Sequence, residues 1–584
     1  MEVGQNGCTV CSPAGRESTP RIGLIPRAML SQSMEYRSDE PLAHLGDLPT
    51  LAAERYGDKT AFSFHGQPLS YAGLEGGANE VANVLTDRGL SPGERVALFV
   101  PNTPQFPQAY FGIVKAGGVP VPLNLRMDPE TLAFVLGDSG ADAVVGSPYL
   151  ADEVQDLAAA AGIETLYLPG VSESDPVEVV NLSHARSDAG REFDRVDRAF
   201  DDVAVQLYTS GTTGKPKGVL LSHRNLLTAI ESYGKGTLAV DAGDSTLLVL
   251  PLFHIYGLNA LMGTYLLRGA EMVLQAEPDP EAMLRAIDEG DLTKFSGVPA
   301  LFTAMWRTYR EDPDAYDVSS LEEVVCAAAP LADEVRRTIE REWDVPMIEG
   351  WGMSETAPAG TLEPARGVKK AAGCIGPPVP NLEMKIVDPE TRETKVGPAD
   401  LEPRPSEDVD WEDEEAVTGE IAVRGPQVFE GYHERPDQTA AAFDDDGWFY
   451  TEDIARVDGD GYFWMIDRAD DMLLVGGENV YPAEVENALY EHPDVEEAAV
   501  VAAPHAVKGE APVAYVVLAG DADATEDDLR RFALERVATY AHPRRVFFVD
   551  ELPRSATQKV QRFKLEAATE ERLDGPLEPS DGDL

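Results

Sequence analysis

Tyr208-Thr-Ser-Gly-Thr-Thr-Gly-Lys-Pro-Lys-Gly218 follows directly on Val203 to Tyr208, an apolar run that reads as a buried strand. Three glycines, four Ser/Thr hydroxyls and two lysines within eleven residues make a turn whose amides and side chains can wrap an anion. Thr209, Ser210, Gly211, Thr212, Thr213, Gly214 and Lys217 are the candidate phosphate ligands. A Walker loop is excluded at two positions: Thr209 stands where its first glycine belongs, and Pro216 stands where Ser or Thr must follow the lysine. A plain Ser/Thr/Gly linker would not follow a buried strand or carry Lys-Pro-Lys-Gly. Gly234-x-Gly236-x-x-Ala239 follows a helical stretch rather than a strand, so it is a weak dinucleotide fingerprint.

Outward from this turn, short Val/Ile/Leu-rich runs alternate with longer amphipathic stretches, the pattern of α/β layers around a mostly parallel sheet. Strands are predicted at Val96 to Val100, Val119 to Leu123, Ala143 to Gly146, Thr246 to Leu250 and Val324 to Ala327, and a helix over Leu331 to Trp343. Asp400 to Glu415 holds nine acids and one arginine and reads as a solvated loop. Near Arg468 the units become smaller and α+β. There, Ala483 to His492 predicts a helix, Glu497 to Ala503 and Val513 to Leu518 predict strands, and Thr525-x-x-Asp528 opens a helix as a capping box.

The expected fold is therefore α/β: a large N-terminal domain of several subdomains with layered sheets over 35–469, then a small mobile α+β domain over 470–570 and an acidic tail over 571–584. Residues 1–34 form a leader with three Arg and two Glu before Met34, and their lack of acidic bias suggests a start assigned too far upstream. Cys8-x-x-Cys11 within it is at most half a zinc site, since no second Cys or His pair follows at ligand spacing.

The chain has 584 residues and a formal net charge of −55. Self-repulsion on that scale is tolerable when salt screens it, so the surface reads as that of a salt-adapted, halophilic protein. The same field argues against nucleic acid and anionic membranes as partners. Four cysteines make no disulfide framework, and the chain shows neither an integral membrane segment nor a signal peptide, so a cytoplasmic location is expected. A homodimer is left open.

With the phosphate turn, six further stretches resemble the adenylate-forming superfamily of acyl-CoA synthetases, luciferases and peptide-synthetase adenylation domains, in the family's order over residues 45 to 566. They are Pro251-Leu-Phe-His-Ile-Tyr-Gly257, Ala327-Ala-Ala-Pro-Leu331 with Glu349-Gly-Trp-Gly-Met-Ser-Glu-Thr356, Tyr450-Thr-Glu-Asp453, Asp467-Arg-Ala-Asp-Asp-Met-Leu-Leu-Val-Gly-Gly-Glu-Asn-Val-Tyr-Pro482, and Pro553-Arg-Ser-Ala-Thr-Gln-Lys-Val-Gln-Arg562.

The resemblance implies an AMP-forming carboxylate–CoA ligase using ATP, Mg²⁺ and coenzyme A, with a small carboxylic acid as substrate and fatty acid metabolism as its setting. It implies that His254 lines the site between acyl group and phosphate, that Trp351 stacks on adenine with Ala328 and Gly352 also binding the cofactor, and that Ser354 touches phosphate. Glu355, with Thr209, would hold Mg²⁺, Asp453 would accept the ribose hydroxyls, and Arg468 would contact ribose or phosphate. Asp470 would be the hinge, Gly476 and Gly477 would let the pantetheine arm pass, and Lys559 would be the catalytic ammonium.

Departures from the family pattern are Trp351 for Tyr, Ser354 for Thr, Glu452 for Gly and Gln558 for Gly. At Glu452 the backbone is expected to avoid a conformation that only glycine tolerates. His254, Ile255, Gly257, Leu258, Gly297 and Val298 are the candidate acyl-pocket wall, apolar and without an evident Arg or Lys, which favours a medium- or long-chain fatty acid or an aryl acid over a dicarboxylate. Competing readings are an adenylation enzyme loading a carrier protein, a luciferase-like oxidation and a silent nucleotide-binding regulator.

Overall fold

A computed structural model describes residues 42–163, 165–171, 178–209, 216–329, 331–364, 373–401, 404–468, 471–476, 478–520, 522–555, 559–573 and 575–578. The leader with Cys8 and Cys11, most of the phosphate turn (Ser210, Gly211, Thr212, Thr213, Gly214), Asp470, Gly477 and Gln558 lie outside them.

Among the described residues the strands form five sheets. The largest runs Thr361–Leu362, Met347–Trp351, Glu323–Ala327, Lys294–Gly297, Ser245–Leu248, Glu271–Leu274, Thr60–Phe64, Gln67–Ser70, parallel except at its two edge pairs. A five-stranded sheet, Val119–Pro122, Arg95–Phe99, Ala141–Gly146, Thr165–Leu168, Glu178–Asn181, is parallel throughout. Its strands are buried on both faces: Val96 and Leu98 enter the main core while Ala97 and Phe99 enter a second one. That two-sided burial is why these runs are continuously apolar.

The expectation of a mostly parallel architecture fails beyond residue 373. Cys374–Gly376, Phe463–Arg468, Phe449–Val457, Thr418–Arg424, Glu383–Val387 and Thr394–Val396 form a sheet that is antiparallel at every pairing. The reason is local turn chemistry. At Asp458-Gly-Asp-Gly461 the Asp458 carboxylate accepts the N–H groups of Asp460 and Tyr462, both at 3.0 Å, and reverses the chain. Between its end segments Pro398–Leu401 and Glu414–Val417, both short helices, the acidic stretch is mostly loop, as expected.

The strand Val203–Thr209 pairs antiparallel with Lys217–Ser222, with Thr209 opposite Lys217. The phosphate turn is thus a hairpin connection between two buried strands, the second of which sequence reading left unassigned. Ser222 then caps the helix His223–Ser232 in a capping box with Asn225.

The last sheet contains Glu478–Val480, Leu473–Val475, Gly509–Leu518 and Val495–His505, with Arg545–Phe548 added parallel to Gly509–Leu518. It carries a separate apolar cluster on each face. The capping box at Thr525 and Asp528 forms as read. The chain is thus α/β, a large layered N-terminal domain followed by a small α+β domain. No helix among the described residues is long and apolar enough to cross a membrane.

Candidate active site

A cleft of about 1860 Å³ is lined from both the large and the small domain. Strand ends deliver most of its polar wall, where open α/β sheets place their ligands. Thr209 and Lys217 come from the hairpin, Trp351 from Met347–Trp351, Asp453 from Phe449–Val457, and Arg468 from Phe463–Arg468.

Trp351 ends its strand 8 % exposed, and its Nε1–H donates to Asp453 Oδ2 at 2.8 Å. The chain then turns so sharply that a Cβ on Gly352 would lie 1.7 Å from the Pro358 carbonyl oxygen, which leaves glycine as the residue that fits. Ser354 and Glu355 follow in a single 3-10 turn, both buried and both on the cleft wall. Beneath this loop the buried Arg336 guanidinium bridges Glu349 at 2.7 Å and Glu363 at 2.9 Å. Burial pushes the Glu349 carboxyl up to about 7, against the opposing pull of Arg336.

Glu355 Oε1 accepts the hydroxyl of Tyr432 at 3.0 Å, and burial raises its pKa. The same tyrosine ring carries the Lys217 ammonium 5.4 Å from its centroid. Tyr432 is therefore a link between the phosphate hairpin and the acidic site that sequence reading missed. Its pairing with Val219 in a two-residue strand gives too short a period to be seen.

Among the described residues no group of three or more His, Cys, Asp or Glu side chains is placed to hold a metal ion by itself. One buried hard carboxylate beside a phosphate turn is nevertheless a donor set that suits Mg²⁺, which takes few protein ligands and completes its shell with water and phosphate oxygens.

His254 Nδ1 accepts the Tyr256 N–H at 3.3 Å, which leaves the ring proton on Nε2. Burial, reinforced by the Lys559 charge, lowers its pKa to about 3, so the imidazole is neutral at ordinary pH. Lys559 reaches the site from the far end of the chain. Its backbone is pinned in a small hairpin: Ser555 N–H donates to the Lys559 carbonyl at 2.7 Å, and Lys559 N–H donates to Ser555 Oγ at 3.2 Å. The side chain opens on the cleft, yet surrounding protein disfavours its charged form. Burial and Arg468 lower its pKa while Asp453 and Glu355 oppose the shift. Lys559, Asp453, Arg468, Glu355 and His254 thus act on one another electrostatically although the sequence separates them by up to 305 positions, from 254 to 559.

Ala328 lines the cleft with φ +74°. Of the candidate acyl wall, His254, Ile255 and Val298 line the cleft, whereas Gly257, Leu258 and Gly297 do not. Gly257 instead packs against backbone, where a Cβ would meet the Pro251 carbonyl at 2.6 Å. The wall that sequence reading missed includes Tyr233, Leu238, Tyr256, Ser296 and Cys326.

Gly476, at φ +67°, donates its N–H to the Lys508 carbonyl at 2.8 Å and lies off the cleft wall while the Lys559 hairpin faces the site. One expectation is corrected. Glu452 does not avoid the glycine-favouring backbone region but occupies it, at φ +61°.

Two paired strands flanking the Ser/Thr/Gly-rich stretch, an aromatic wall bonded to a carboxylate and a lysine arriving from a second domain fit an acyl-adenylate-forming enzyme. The chain belongs to the family of AMP-binding enzymes, which it matches over residues 50–433, with the AMP-binding enzyme C-terminal domain matched over residues 484–559. It is 32% identical over 550 residues to a long-chain-fatty-acid–CoA ligase of Bacillus subtilis (strain 168), covering 90% of this chain and 94% of that protein. It is 35% identical over 525 residues to a feruloyl-CoA synthase of an Amycolatopsis species, covering 88% and 97%. The crystal structure of ATP-bound MatB from Rhodopseudomonas palustris superposes with a TM-score of 0.79 at 31% identity, covering 90% of this chain and 98% of that one.

Proposed function

We propose that the protein is an ATP-dependent acid–CoA ligase with the site residues named above in the roles their positions suit. The observation that carries this reading is the convergence of Lys559, Asp453, Arg468, Glu355 and His254 on one cleft. In the first half-reaction a carboxylate oxygen attacks the α-phosphorus of ATP, the bond to the β-phosphate bridging oxygen breaks, and pyrophosphate leaves with its electron pair. Lys559 offsets the charge where carboxylate and α-phosphate meet. Trp351 flanks the adenine, Asp453 accepts ribose hydroxyls, and Ser354 with the turn from Thr209 to Lys217 holds phosphate oxygens. Glu355 and Thr209 would hold Mg²⁺, which would supply neutralising charge for the phosphates.

In the second half-reaction the domain of residues 470–570 turns about Asp470, withdraws Lys559 and brings Gly476 and Gly477 to the cleft. The thiol of coenzyme A gives up its proton to solvent, its sulfur attacks the acyl carbonyl, and the acyl–phosphate oxygen bond breaks to release AMP. Neutral His254 stands beside the reacting carboxyl as a donor through Nε2. No protein nucleophile is needed, and positioning with electrostatics provides the catalysis.

For the acid, an apolar wall of Leu238, Ile255 and Val298 supports a medium- or long-chain fatty acid. A second reading, an aryl acid, is favoured by the Tyr256 ring on the same wall, an aromatic face that suits a planar acid. Pyrophosphate release with CoA across a panel of fatty and aromatic acids decides between them. Absence of release with every acid, together with no pyrophosphate exchange into ATP, would reject the ligase reading itself.

A further inference from the structure

Glu452 lies in the strand Phe449–Val457 at φ +61° because residues 451 to 453 bulge. Pairing with Thr418–Arg424 shifts register between Glu420↔Ile454 and Ala422↔Tyr450. Three bonds hold the bulge: Thr451 Oγ1–H to the Ile421 carbonyl at 2.9 Å, Glu452 N–H to Glu420 Oε1 at 2.9 Å, and Asp453 N–H to Thr451 Oγ1 at 3.2 Å. A bulge re-aims the residue beside it, here Asp453, whose carboxylate faces the cleft. The backbone therefore has a use that glycine would serve without strain, and the side chain at 452 must have a separate effect.

That effect is electrostatic. Glu452 Oε2 lies 3.5 Å from an Arg468 terminal nitrogen, and Arg468 Nε lies 3.9 Å from Asp453 Oδ1. Glu452 lines the cleft with its side chain 60% exposed. The neighbourhood is already rich in carboxylates. Glu420 feels Glu452 and Asp453 as like charges, with Arg392 opposing them, and Glu355 with Asp453 faces Lys559 and Arg468. An incoming polyphosphate thus meets a guanidinium whose charge is shared by two carboxylates before it arrives.

We propose that Glu452 is a positioning residue that competes with the nucleotide for Arg468, holding the guanidinium at the cleft mouth and setting nucleotide affinity below what the rest of the site would give. The inference rests on the reading of this cleft as a nucleotide site. Glu452 touches no reacting atom. It acts on ATP through Arg468, and it weakens binding without changing the chemical step.

The test is ATP binding by isothermal titration to the full chain in molar KCl, with steady-state kinetics alongside. Glu452→Gln keeps the Cβ and the backbone while removing the charge, and it is expected to bind ATP about 3- to 5-fold more tightly, the size of one exposed ion pair. KM for ATP should fall in parallel with kcat within about twofold of wild type. In an Arg468→Met background the same substitution should change ATP affinity by less than about twofold, because the competition has lost its object. Glu452→Gln binding ATP no more tightly than wild type overturns the proposal, and so does a gain that persists at full size without Arg468. A wild-type chain that binds no ATP overturns the nucleotide-site reading and this inference together, a result distinguishable from either of the others.

Discussion

The indole N–H of Trp351 donates to Asp453 Oδ2 at 2.8 Å, joining the last long strand of the eight-stranded sheet to the antiparallel sheet. Two groups assigned separate tasks on the nucleotide are therefore one unit: the aromatic wall orients the carboxylate, and the carboxylate fixes the ring. One oxygen of Asp453 is already engaged, so in the proposed role the ribose would be received mainly by the other, which also faces Arg468 Nε at 3.9 Å.

Removing that donor should loosen nucleotide binding more than catalysis. Trp351→Phe keeps a flat apolar face and deletes the N–H. A hydrogen bond to a charged group contributes roughly 1.5–3 kcal/mol, so KM for ATP is expected to rise about 10-fold or more while kcat stays within about threefold. Pyrophosphate release at varied ATP measures both.

Lys559→Ala removes the ammonium from the meeting point of two anions. Adenylation is expected to fall by about 10²- to 10³-fold. Thioester formation from supplied acyl-adenylate and CoA should remain within a few-fold, since that step is assigned to a different face of the small domain. Equal losses in both half-reactions would contradict the role given to this residue.

Arg307, on the helix Pro299–Glu311, pairs with Glu496 of the small-domain strand Val495–His505. The pair bridges the two domains while Lys559 faces the cleft. Arg307→Ala should slow adenylation about 2- to 5-fold and leave thioester formation unchanged or faster, in keeping with the small value of a partly exposed ion pair. Single-turnover measurement of each half-reaction separates the two effects.

His44 and His223 are buried with ring centroids 4.1 Å apart, and His223 Nδ1 accepts the Leu45 N–H at 3.1 Å. Burial first, then neighbouring cations, lowers both from 6.5 to about 3. Their folded pKa lies below the unfolded one, so the unfolded chain binds more protons below pH 6.5. The stability they support is complete above pH 6.5 and is lost progressively as pH falls toward about 3. His223→Asn keeps an acceptor in place of Nδ1 and should flatten the decline of Tm between pH 6.5 and 4 relative to wild type, as read by thermal unfolding at fixed salt.

The net charge of −55 leads to a further expectation. Dilution from high salt to below about 1 M KCl should unfold the chain as screening is withdrawn, with loss of far-UV circular dichroism. Full activity at low salt would contradict halophilic adaptation.

Much of this protein was written locally. The apolar runs at Arg95–Phe99 and Glu323–Ala327, the capping box at Thr525 and the phosphate turn's placement after Val203–Thr209 each depend on neighbours within a few residues, which period and turn chemistry encode directly. The antiparallel sheet beyond residue 373 was equally local in its turns, but its strands pair with partners up to 90 positions away, as Cys374 does with Trp464. No local pattern specifies such a partner.

What required the assembled fold was every relation between distant side chains. The Tyr432 hydroxyl on Glu355, the indole on Asp453 and the placement of Gly476 away from the cleft follow from how sheets and domains dock. The sharpest case is Glu452. Its identity alone argued for an ordinary backbone, yet the bulge imposed by Ile421 and Glu420 across the strand put it at φ +61° beside Arg468. Local propensity sets what a residue prefers, and the pairing of strands decides what it must accept.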